Sequence, residues 1–343
     1  GRAWETLSKA DASALTTILT SMDNASPLAM NWLRGAIYAI ADRAIDSGKS
    51  VSVADLKQYI AKTEHNPRAR RLAFDLINRV DPDTAKAMIP GMINDPSVEL
   101  RRDAVRQVLD RGVKEKKNGS KDAATKTYQT ALRYGRDVDQ IQKAASALRE
   151  LGHTVDLPKQ FGFLMDWHVV GPFDNTDRQG FARVFRPEKG VDLNATYPGK
   201  AGTVKWQALT TEDQYGMLDF NKPYGMIKEV TGYAYTEYEA ERERKAEIRL
   251  GCKNAWKVWL NGEIVFGRDE YHRGARIDQY KLPITLKQGN NTILVKACQN
   301  EQDESWTREW QFQMRISDEA GTPLMAKNRK PTPPAALSPK SGK

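Results

Sequence analysis

The sequence has no long hydrophobic run and few cysteines, and each shortage excludes a class of protein. No stretch approaches the roughly 20 consecutive apolar residues that a membrane-spanning helix requires. The cysteines, Cys252 and Cys298, belong to no CxxC pair, so structural zinc and haem attachment lack support. They either form a disulfide between neighbouring strands or remain buried free thiols, and the sequence leaves both alternatives open.

Enzyme signatures are also missing. The chain contains no GxSxG nucleophile turn, no HExxH zinc pair and no GxGxxG phosphate turn. Its four histidines lie at no spacing that would ligate a metal ion. The run Ser47-Gly48-Lys49-Ser50 ends like a phosphate-binding loop, but Arg43 stands where that motif requires its first glycine. We therefore expect a protein that is not an enzyme.

The composition is that of a folded chain with an unevenly distributed basic surplus. Hydrophobic residues make up 40% of the 343 residues and charged residues 28%, which is enough for two domains with their own cores. The net charge is +5 over residues 1–157, −1 over 158–325 and +5 over 326–343. Because no nucleic-acid motif accompanies this surplus, a solvated basic surface is favoured over nucleic-acid binding. The chain begins at Gly1, so we expect a processed product whose signal peptide has been removed.

The apolar spacing of residues 11–157 predicts amphipathic helices and no strand. Asp11 and Ser52 are predicted N-caps, and Leu157-Pro158 is predicted to close the last helix. The main predicted helices span 28–45, 53–60, 68–80, 83–93, 98–113, 121–134 and 138–151.

Two segments of this region share a polar residue, a proline and a basic amphipathic helix. They are NPRARRLAFDLINRV from Asn66 and DPSVELRRDAVRQVL from Asp95. With Ser26-Pro27 before them, they resemble HEAT repeats, in which helix pairs stack into an α-α superhelix. This resemblance covers about residues 10–115, and the pair at 121–151 resembles a tetratricopeptide hairpin. It implies a helical repeat domain over 1–157 that docks a protein partner.

After Leu157-Pro158 the hydrophobic period changes to two, which predicts short strands joined by Gly and Asn turns. Asn261-Gly262 predicts a hairpin, because a type I′ turn needs positive φ at both central residues. The run Gly171 to Asn175 is predicted to end the first strand. The strands are predicted at 163–170, 204–209, 230–238, 246–252, 256–260, 263–266, 279–286, 292–298 and 309–316. Together they indicate an antiparallel β-sandwich of jelly-roll type over 158–325.

Five ordered segments resemble the galactose-binding-like β-sandwich found in the sugar-binding domains of many glycoside hydrolases. They are DWHVVGPFDN, GYAYTEYEA, KVWLNGEIVF, LKQGNNTILVKACQ and WQFQMRI, and the match covers about residues 160–318. Helical repeats followed by such a sandwich resemble exported multidomain proteins of planctomycete-type bacteria. The resemblance implies a multidomain α + β protein, periplasmic or extracellular, whose sandwich binds a glycan.

Two polar loops carry the aromatic and polar side chains that sugar binding needs. Four other tryptophans, Trp167, Trp206, Trp256 and Trp310, are expected in the core, whereas Trp259 is left open. The candidate carbohydrate-binding residues are Arg268, Tyr271 and His272 in the loop 267–276, and Asn300, Asp303 and Trp306 in the loop 299–309. If a carbohydrate binds, we expect it to meet the rim made by Tyr271, His272, Asn300 and Trp306.

Several alternatives remain open. Asp174 and Asn175 are either oxygen ligands of a structural calcium ion or turn residues after Gly171-Pro172, and no other cofactor is expected. The rivals to a glycan-binding module are a scaffold protein without a ligand and the accessory end of a larger hydrolase or redox protein. Residues 326–343, rich in Pro, Lys and Ser, are predicted to form a flexible tail.

Overall fold

The computed structural model describes residues 2–338, with side chains from residue 4 onward, and divides into two compact units. The first, the helical unit, ends at Leu151 and shows no strand among its described residues. The second, the sheet unit, begins at Gly152 and contains antiparallel sheets. Helices in the N-terminal half and antiparallel sheets in the C-terminal half are therefore confirmed. No described helix is long and apolar enough to cross a membrane.

The helical unit consists of helices whose first turns are capped by polar side chains. Asp11, Ser26 and Ser52 each accept a hydrogen bond from a backbone N–H two or three residues further on, as N-cap residues do. The helices are α1 Arg2–Leu7, α2 Leu15–Thr20, α3 Pro27–Asp46, α4 Val53–Ala61, α5 Pro67–Val80, α6 Pro82–Met88, α7 Val98–Lys117, α8 Lys121–Tyr134 and α9 Val138–Glu150. Every main predicted helix is present, although the one predicted over 83–93 gives way to a 3₁₀ turn after Met88.

The polar residue before Pro96 links two helices of this unit. The Asp95 carboxylate accepts two hydrogen bonds of 2.6 Å from the Arg70 guanidinium of α5. It also accepts one from the backbone N–H of Ser97, just before α7. Both charged side chains are almost fully buried. Because a bidentate arginine–carboxylate pair is strong and directional, Asp95 fixes the start of α7 against α5.

Leu157-Pro158 opens a helix instead of closing one, which corrects the prediction. The helix α10, Leu157–Phe161, belongs to the sheet unit, whereas α9 already ends at Glu150. The Asp156 carboxylate accepts from the backbone N–H of Lys159. Proline suits the first turn, where its missing N–H would have no helical partner anyway. Two further short helices are α11 Asn221–Tyr224 and α12 Pro334–Leu337.

The strands of the sheet unit pair in an antiparallel manner. They are β1 Asp166–Asp174, β2 Thr196–Gly199, β3 Gly202–Lys205, β4 Gln207–Thr210, β5 Leu218–Asp219, β6 Val230–Ala240, β7 Arg244–Cys252, β8 Ala255–Leu260, β9 Glu263–Arg268, β10 Tyr280–Leu286, β11 Gly289–Gln299 and β12 Gln311–Ser317. A six-stranded sheet has the order β4-β1-β6-β11-β8-β9, and a four-stranded sheet has the order β10-β7-β12-β5. One apolar cluster joins residues of both sheets, including Trp167, Trp256 and Phe312.

The hairpin prediction is confirmed, whereas several strand boundaries differ. Leu260 pairs with Glu263, and Asn261 and Gly262 have φ values of 53° and 85°. The run Gly171 to Asp174 continues β1 instead of ending it, because the register shift between Val170 and Phe173 accommodates Pro172. The strand predicted over 204–209 is split into β3 and β4. The short strands β2 and β5 lack the alternation that would have predicted them.

Both cysteines are buried free thiols, one of the two alternatives that the sequence left open. Burial raises the pKa of Cys252 to about 12 and that of Cys298 to about 11. Both thiols are therefore protonated at neutral pH.

The outer face of the six-stranded sheet is covered by residues 175–206, which we call the covering segment. Its Phe185, Tyr197 and Trp206 form a second apolar cluster with aromatic side chains of the sheet. Those sheet residues are Phe173, Tyr233, Tyr235 and Trp259. Trp259, which the sequence left open, is therefore buried under this segment and not in the core between the sheets.

A fully buried lysine holds the covering segment in place. The ammonium of Lys296 on β11 donates to the carbonyls of Phe181 and Arg183 and to the Glu188 carboxylate, over distances of 2.7–3.1 Å. Its three donors thus all have partners, which is the condition for burying an ammonium group. Glu188 also accepts a hydrogen bond of 2.5 Å from the Tyr233 hydroxyl. Burial lowers the pKa of Lys296, but the bound carboxylate opposes that effect.

The C-terminal segment from Ala326 to Ser338 is bound to the sheet unit, in contrast to the flexible tail predicted for 326–343. The backbone N–H of Lys327 donates to the Glu239 carbonyl, and the Arg329 guanidinium donates to the Phe163 carbonyl. Ala336 of α12 is buried. Composition misleads here because the partners of the segment lie on β6 and before β1, far away in sequence. Residues 339–343 of the predicted tail lie outside the described residues.

A buried carboxylate ties the end of the loop between β9 and β10 to the four-stranded sheet. Asp278 accepts hydrogen bonds of 2.6–2.8 Å from Arg315 of β12 and Arg249 of β7. Both guanidinium groups are nearly inaccessible to solvent. Burial by itself would raise the pKa of Asp278, but the hydrogen bond and charge of Arg315, followed by those of Arg249, hold it below its ordinary value.

Asp278→Asn is expected to lower the free energy of unfolding by about 3–5 kcal/mol, because it leaves the buried Arg315 guanidinium without its carboxylate, whereas Arg249 keeps its ion pair with Glu247. Urea unfolding measures this effect, and Asp303→Asn at an exposed carboxylate is the matched control. Since the folded-state pKa of Asp278 is lowered, its contribution is present above the unfolded pKa and is lost as pH falls through the folded pKa. The wild type should lose more stability on acidification than the variant, and equal losses would contradict this account.

Candidate functional site

The two predicted loops meet at one end of the six-stranded sheet. Asp174 at the end of β1 pairs with Val230 at the start of β6, which pairs in turn with Gln299 at the end of β11. The residues that follow β1 and β11 therefore lie close together, and the loop 267–276 joins them there. We call this end of the sheet, formed by the residues after β1, the loop 267–276 and the loop 299–309, the rim.

His272 is the side chain around which the rim is built. Its φ is 59°, and its backbone N–H donates to the Lys253 carbonyl over 2.6 Å. The ring Nε2 lies 2.8 Å from the Asn300 side-chain oxygen, whereas the buried Nδ1 has no hydrogen-bond partner among the described residues. The ring also meets the Trp306 indole edge to face, with 5.4 Å between the ring centroids. This contact places an imidazole and an indole side by side at the rim.

Tyr271 is held from below by Asn175. The Asn175 side-chain nitrogen donates to the Tyr271 hydroxyl over 3.2 Å and to the Gln299 carbonyl over 2.8 Å. The Arg178 guanidinium lies 5.3 Å from the centroid of the Tyr271 ring, within the range of a cation–π contact. Burial raises the pKa of Tyr271, so its hydroxyl is un-ionised at neutral pH.

Arg178 also forms an ion pair with Glu301 across the rim. The hydrogen bond from Arg178 is the main cause that lowers the pKa of Glu301 to about 2. Glu301 is therefore a carboxylate at neutral pH. The pair gives the rim one exposed donor group and one exposed acceptor group.

Trp306 projects from a firmly bound turn. Its side chain is 57% exposed, whereas its neighbour Thr307 is fully buried. The Thr307 hydroxyl donates to the carbonyls of Gln302 and Glu304, and the Thr307 carbonyl accepts from Lys228 and Gln299. The indole is thus presented to solvent without a mobile backbone beneath it.

Four of the six predicted carbohydrate-binding residues come together in the structure, and two take other partners. Asn300 belongs to the cluster but is fully buried, and its amide nitrogen donates to Gln302. It therefore supports His272 instead of facing solvent. Arg268 pairs with Glu270 and lies over the Tyr280 ring. Asp303 forms an exposed ion pair with Arg308. Neither contact joins Arg268 or Asp303 to Trp306.

Asp174 and Asn175, the candidate calcium ligands, have other partners in the described structure. Asn175 holds Tyr271, and Asp174 faces the ammonium of Lys200. The Lys200 nitrogen lies 2.7 Å from the Glu229 carbonyl oxygen, 3.3 Å from both Asp174 Oδ1 and Thr176 Oγ1, and 3.9 Å from the Glu229 carboxylate. Among residues 2–338, no group of three His, Cys, Asp or Glu side chains could hold a metal ion. A lysine side chain therefore lies within the oxygen cluster that includes Asp174.

The sequence did not reveal the roles of Arg178, Lys200 and Glu301. Arg178 and Lys200 lie in the part of the covering segment before residue 204, which has no hydrophobic period and no recognisable motif. Glu301 lies in a loop that was singled out for other residues. Charge alone does not predict such ion pairs, because the partners are 26 to 123 residues apart in sequence.

Comparisons with known proteins find only weak likenesses. No family model matches the chain, and no curated protein matches it. The PA14 domain of the MpAFP antifreeze protein is 14% identical with a TM-score of 0.22, over 28% of this chain and 48% of that one. A family 35 carbohydrate-binding module from Clostridium thermocellum is 14% identical with a TM-score of 0.20, over 26% and 71%. A beta-glucosidase from Kluyveromyces marxianus is 14% identical with a TM-score of 0.21, over 25% and 11%. The match therefore spans less than half of the antifreeze-protein domain and about a tenth of the glucosidase, and likenesses this weak carry no argument about function.

Lys200→Met should leave the Asp174 and Glu229 carboxylates without their cation. We expect a loss of roughly 0.5–1.5 kcal/mol in the free energy of unfolding and a melting temperature that rises when calcium is added. The wild type, with its ammonium in place, should show the same melting temperature with calcium and with a chelator. Differential scanning fluorimetry measures both, with Lys205→Met on β3 as the control. A wild-type protein that is stabilised by calcium would contradict this assignment.

Proposed function

We propose that the chain is an exported, non-catalytic module that binds carbohydrate through the rim of its sheet unit. In this proposal the two large sheets form a jelly-roll sandwich of the galactose-binding-like kind. The helical unit is a HEAT-like superhelix that docks a protein partner. The observation that carries the proposal is the exposure of Trp306.

Trp306 differs from every other tryptophan of the sheet unit. Trp167, Trp206, Trp256, Trp259 and Trp310 are each at most 7% exposed, whereas Trp306 is 57% exposed. The expected burial in the core is confirmed for Trp167, Trp256 and Trp310, whereas Trp206 is buried with Trp259 in the cluster of the covering segment. An indole gains stability from burial in proportion to the apolar area removed from water. A large aromatic face left in water on an anchored turn therefore suggests a surface for a ligand.

The surroundings of the indole match the chemistry of sugars. One face of a pyranose ring presents C–H groups that stack on an aromatic ring, while its hydroxyls need directed hydrogen bonds. Arg178 offers donors and Glu301 offers acceptors, and the two side chains neutralise each other. Hydrogen bonds that involve a charged group are stronger than those between neutral groups. The rim can thus combine stacking with oriented polar contacts.

The ionisation of the rim supports binding without catalysis. Glycoside hydrolysis needs one carboxylic acid that is protonated at working pH and gives its proton to the leaving oxygen. Glu301, with a pKa lowered to about 2, holds no proton to give. Asp303 is paired with Arg308.

A scaffold role without a ligand is the alternative, and one observation favours it. The Asn175 side chain binds that of Tyr271 and the His272 ring binds Asn300, so these rim groups take partners within the protein, although Asn175 Oδ1 and His272 Nδ1 have none among the described residues. In the helical unit, Leu28 and Trp32 of α3 are more than half exposed. These apolar side chains support the proposed docking of a protein partner.

Trp306→Ala should abolish stacking and weaken glycan binding about tenfold, since a stacked aromatic ring contributes around 1 kcal/mol beyond its buried area. Calorimetric titration of the full chain with the polysaccharides selected by a glycan array measures this. The control is Phe266→Ala, which removes another exposed aromatic ring of the sheet unit, 47% exposed on β9.

Two results would count against the proposal. Binding that Trp306→Ala leaves unchanged would remove the rim as the site. A wild-type chain that binds no polysaccharide would favour the scaffold role instead.

A further inference from the structure

A second concave surface lies on the sheet unit, apart from Trp306. It is a cleft of about 330 Å³ whose lining includes His168 of β1 and Tyr235 and Glu237 of β6. Its other walls come from Leu193 of the covering segment, from β4, from the residues at and just before the start of β1, and from residues between 324 and 330. We call it the tail cleft. Its volume lies at the lower end of the range for small-ligand sites.

The wall made by the C-terminal segment is fixed by hydrogen bonds to β6. Beyond the end of the pairing between β1 and β6, the Lys327 N–H donates to the Glu239 carbonyl over 2.9 Å. The Asn328 side chain then imitates a strand: its oxygen accepts from the Glu239 N–H and its nitrogen donates to the Glu237 carbonyl. The wall therefore exists before any ligand arrives, which lowers the entropic cost of binding.

Several polar groups of the tail cleft keep free hydrogen-bonding capacity. His168 is exposed, and its side chain makes no hydrogen bond or ion pair with any described residue. One oxygen of Glu237 accepts from the Tyr235 hydroxyl over 3.0 Å, and its other oxygen remains free for a ligand. Burial and the hydrogen bond to Glu237 raise the pKa of Tyr235 to about 12, so this hydroxyl stays un-ionised, gives its one proton to Glu237 and can accept a hydrogen bond from a ligand. The Arg329 Nη1 donates to the Phe163 carbonyl, whereas its buried Nη2 has no hydrogen-bond partner within residues 2–338.

The charges that line the tail cleft are balanced. Asp166 and Glu237 are acidic, and Arg329 and Lys330 are basic. Asp166 accepts from the Thr210 hydroxyl and lies 3.6 Å from the Lys330 ammonium. A ligand with a net charge would meet as many repelling as attracting groups, whereas hydroxyl groups can donate to the acids and accept from the bases.

The geometry points to a second carbohydrate subsite: we propose that the tail cleft binds one neutral sugar ring. The polar groups bind its hydroxyls, and the side chains of Leu193 and Leu324 pack against its apolar face. The proposal rests on the proposed function for the class of ligand only, because the cleft shares no lining residue with the rim.

The test uses the full chain and the methyl glycosides of glucose, galactose and mannose. The His168 ring signals in the NMR spectrum report on the tail cleft, and the Trp306 indole N–H reports on the rim. We expect a glycoside to shift the His168 signals in a saturable manner. Glu237→Gln should weaken that binding about tenfold, because it replaces a charged acceptor by a neutral amide.

The matched control is Glu239→Gln, the same change two residues along β6 at an exposed position that does not line the cleft. It should leave the affinity unchanged. His168→Ala is a second variant at an exposed position, and it should weaken binding as measured by calorimetry.

The outcomes separate this proposal from the rim. A shift at Trp306 alone would contradict sugar binding at the tail cleft and support binding at the rim. A shift at His168 alone would support the tail cleft and count against the rim. No shift at either position would overturn both. A response of His168 to alanine, a zwitterion, with none to the glycosides would overturn the assignment to sugar.

Discussion

The buried carboxylate of Asp278 connects the loop between β9 and β10, which carries Tyr271 and His272 of the rim, to the four-stranded sheet. It binds two guanidinium groups from neighbouring strands of the four-stranded sheet. Asp278 lies in the stretch between β9 and β10 that carries Tyr271 and His272, so it fixes the base of their loop. Arg315 extends the connection, since it also donates to the carbonyls of Phe161 and Gly321. Because an unpaired buried charge is very costly, loop and sheet keep one arrangement.

The covering segment decides which surfaces of the sheet unit remain open. One face of the six-stranded sheet packs on the four-stranded sheet, and the other is largely buried under residues 175–206. Lys296 and Glu188 make this second burial specific, because a segment packed in another register would leave both charges buried without a partner. A flat aromatic sheet surface is therefore not offered to a ligand. What remains is the loop end with Trp306 and the part of β1, β4 and β6 that the covering segment leaves free.

Most of the fold follows from local sequence signals, because those signals act over a few residues. Alternation located most strands, Asn261-Gly262 marked its turn, and polar residues marked helix starts. The same alternation did not tell on which face Trp259 would be buried, since both faces of its sheet are covered. The polarity of their loops predicted Tyr271, His272, Asn300 and Trp306 as parts of one site. It did not show that Asn300 is buried and positions His272, because that role depends on a hydrogen bond between residues 28 positions apart.

Two features lay beyond any local signal. The covering segment has almost no hydrophobic period. Its few aromatic side chains are buried only because they pack on the aromatic face of the six-stranded sheet, which is distant in sequence. The C-terminal segment has the composition of a disordered chain, yet Asn328 finds backbone groups on β6 that lack a strand partner. In both cases the free energy comes from groups distant in sequence, which composition does not describe.

The hydrogen bonds between the Asn328 side chain and β6 affect where the sheet unit can be truncated for separate expression. A fragment that stops at Met325, the boundary suggested by the sequence, would keep every named strand of the sheet unit. It would nevertheless uncover the Glu239 N–H and the carbonyls of Glu237 and Glu239, and so create a bare edge. Bare edges recruit strands from other molecules. A fragment for expression should therefore end after α12. Aggregation of a shorter fragment would not show whether the sheet unit can fold by itself.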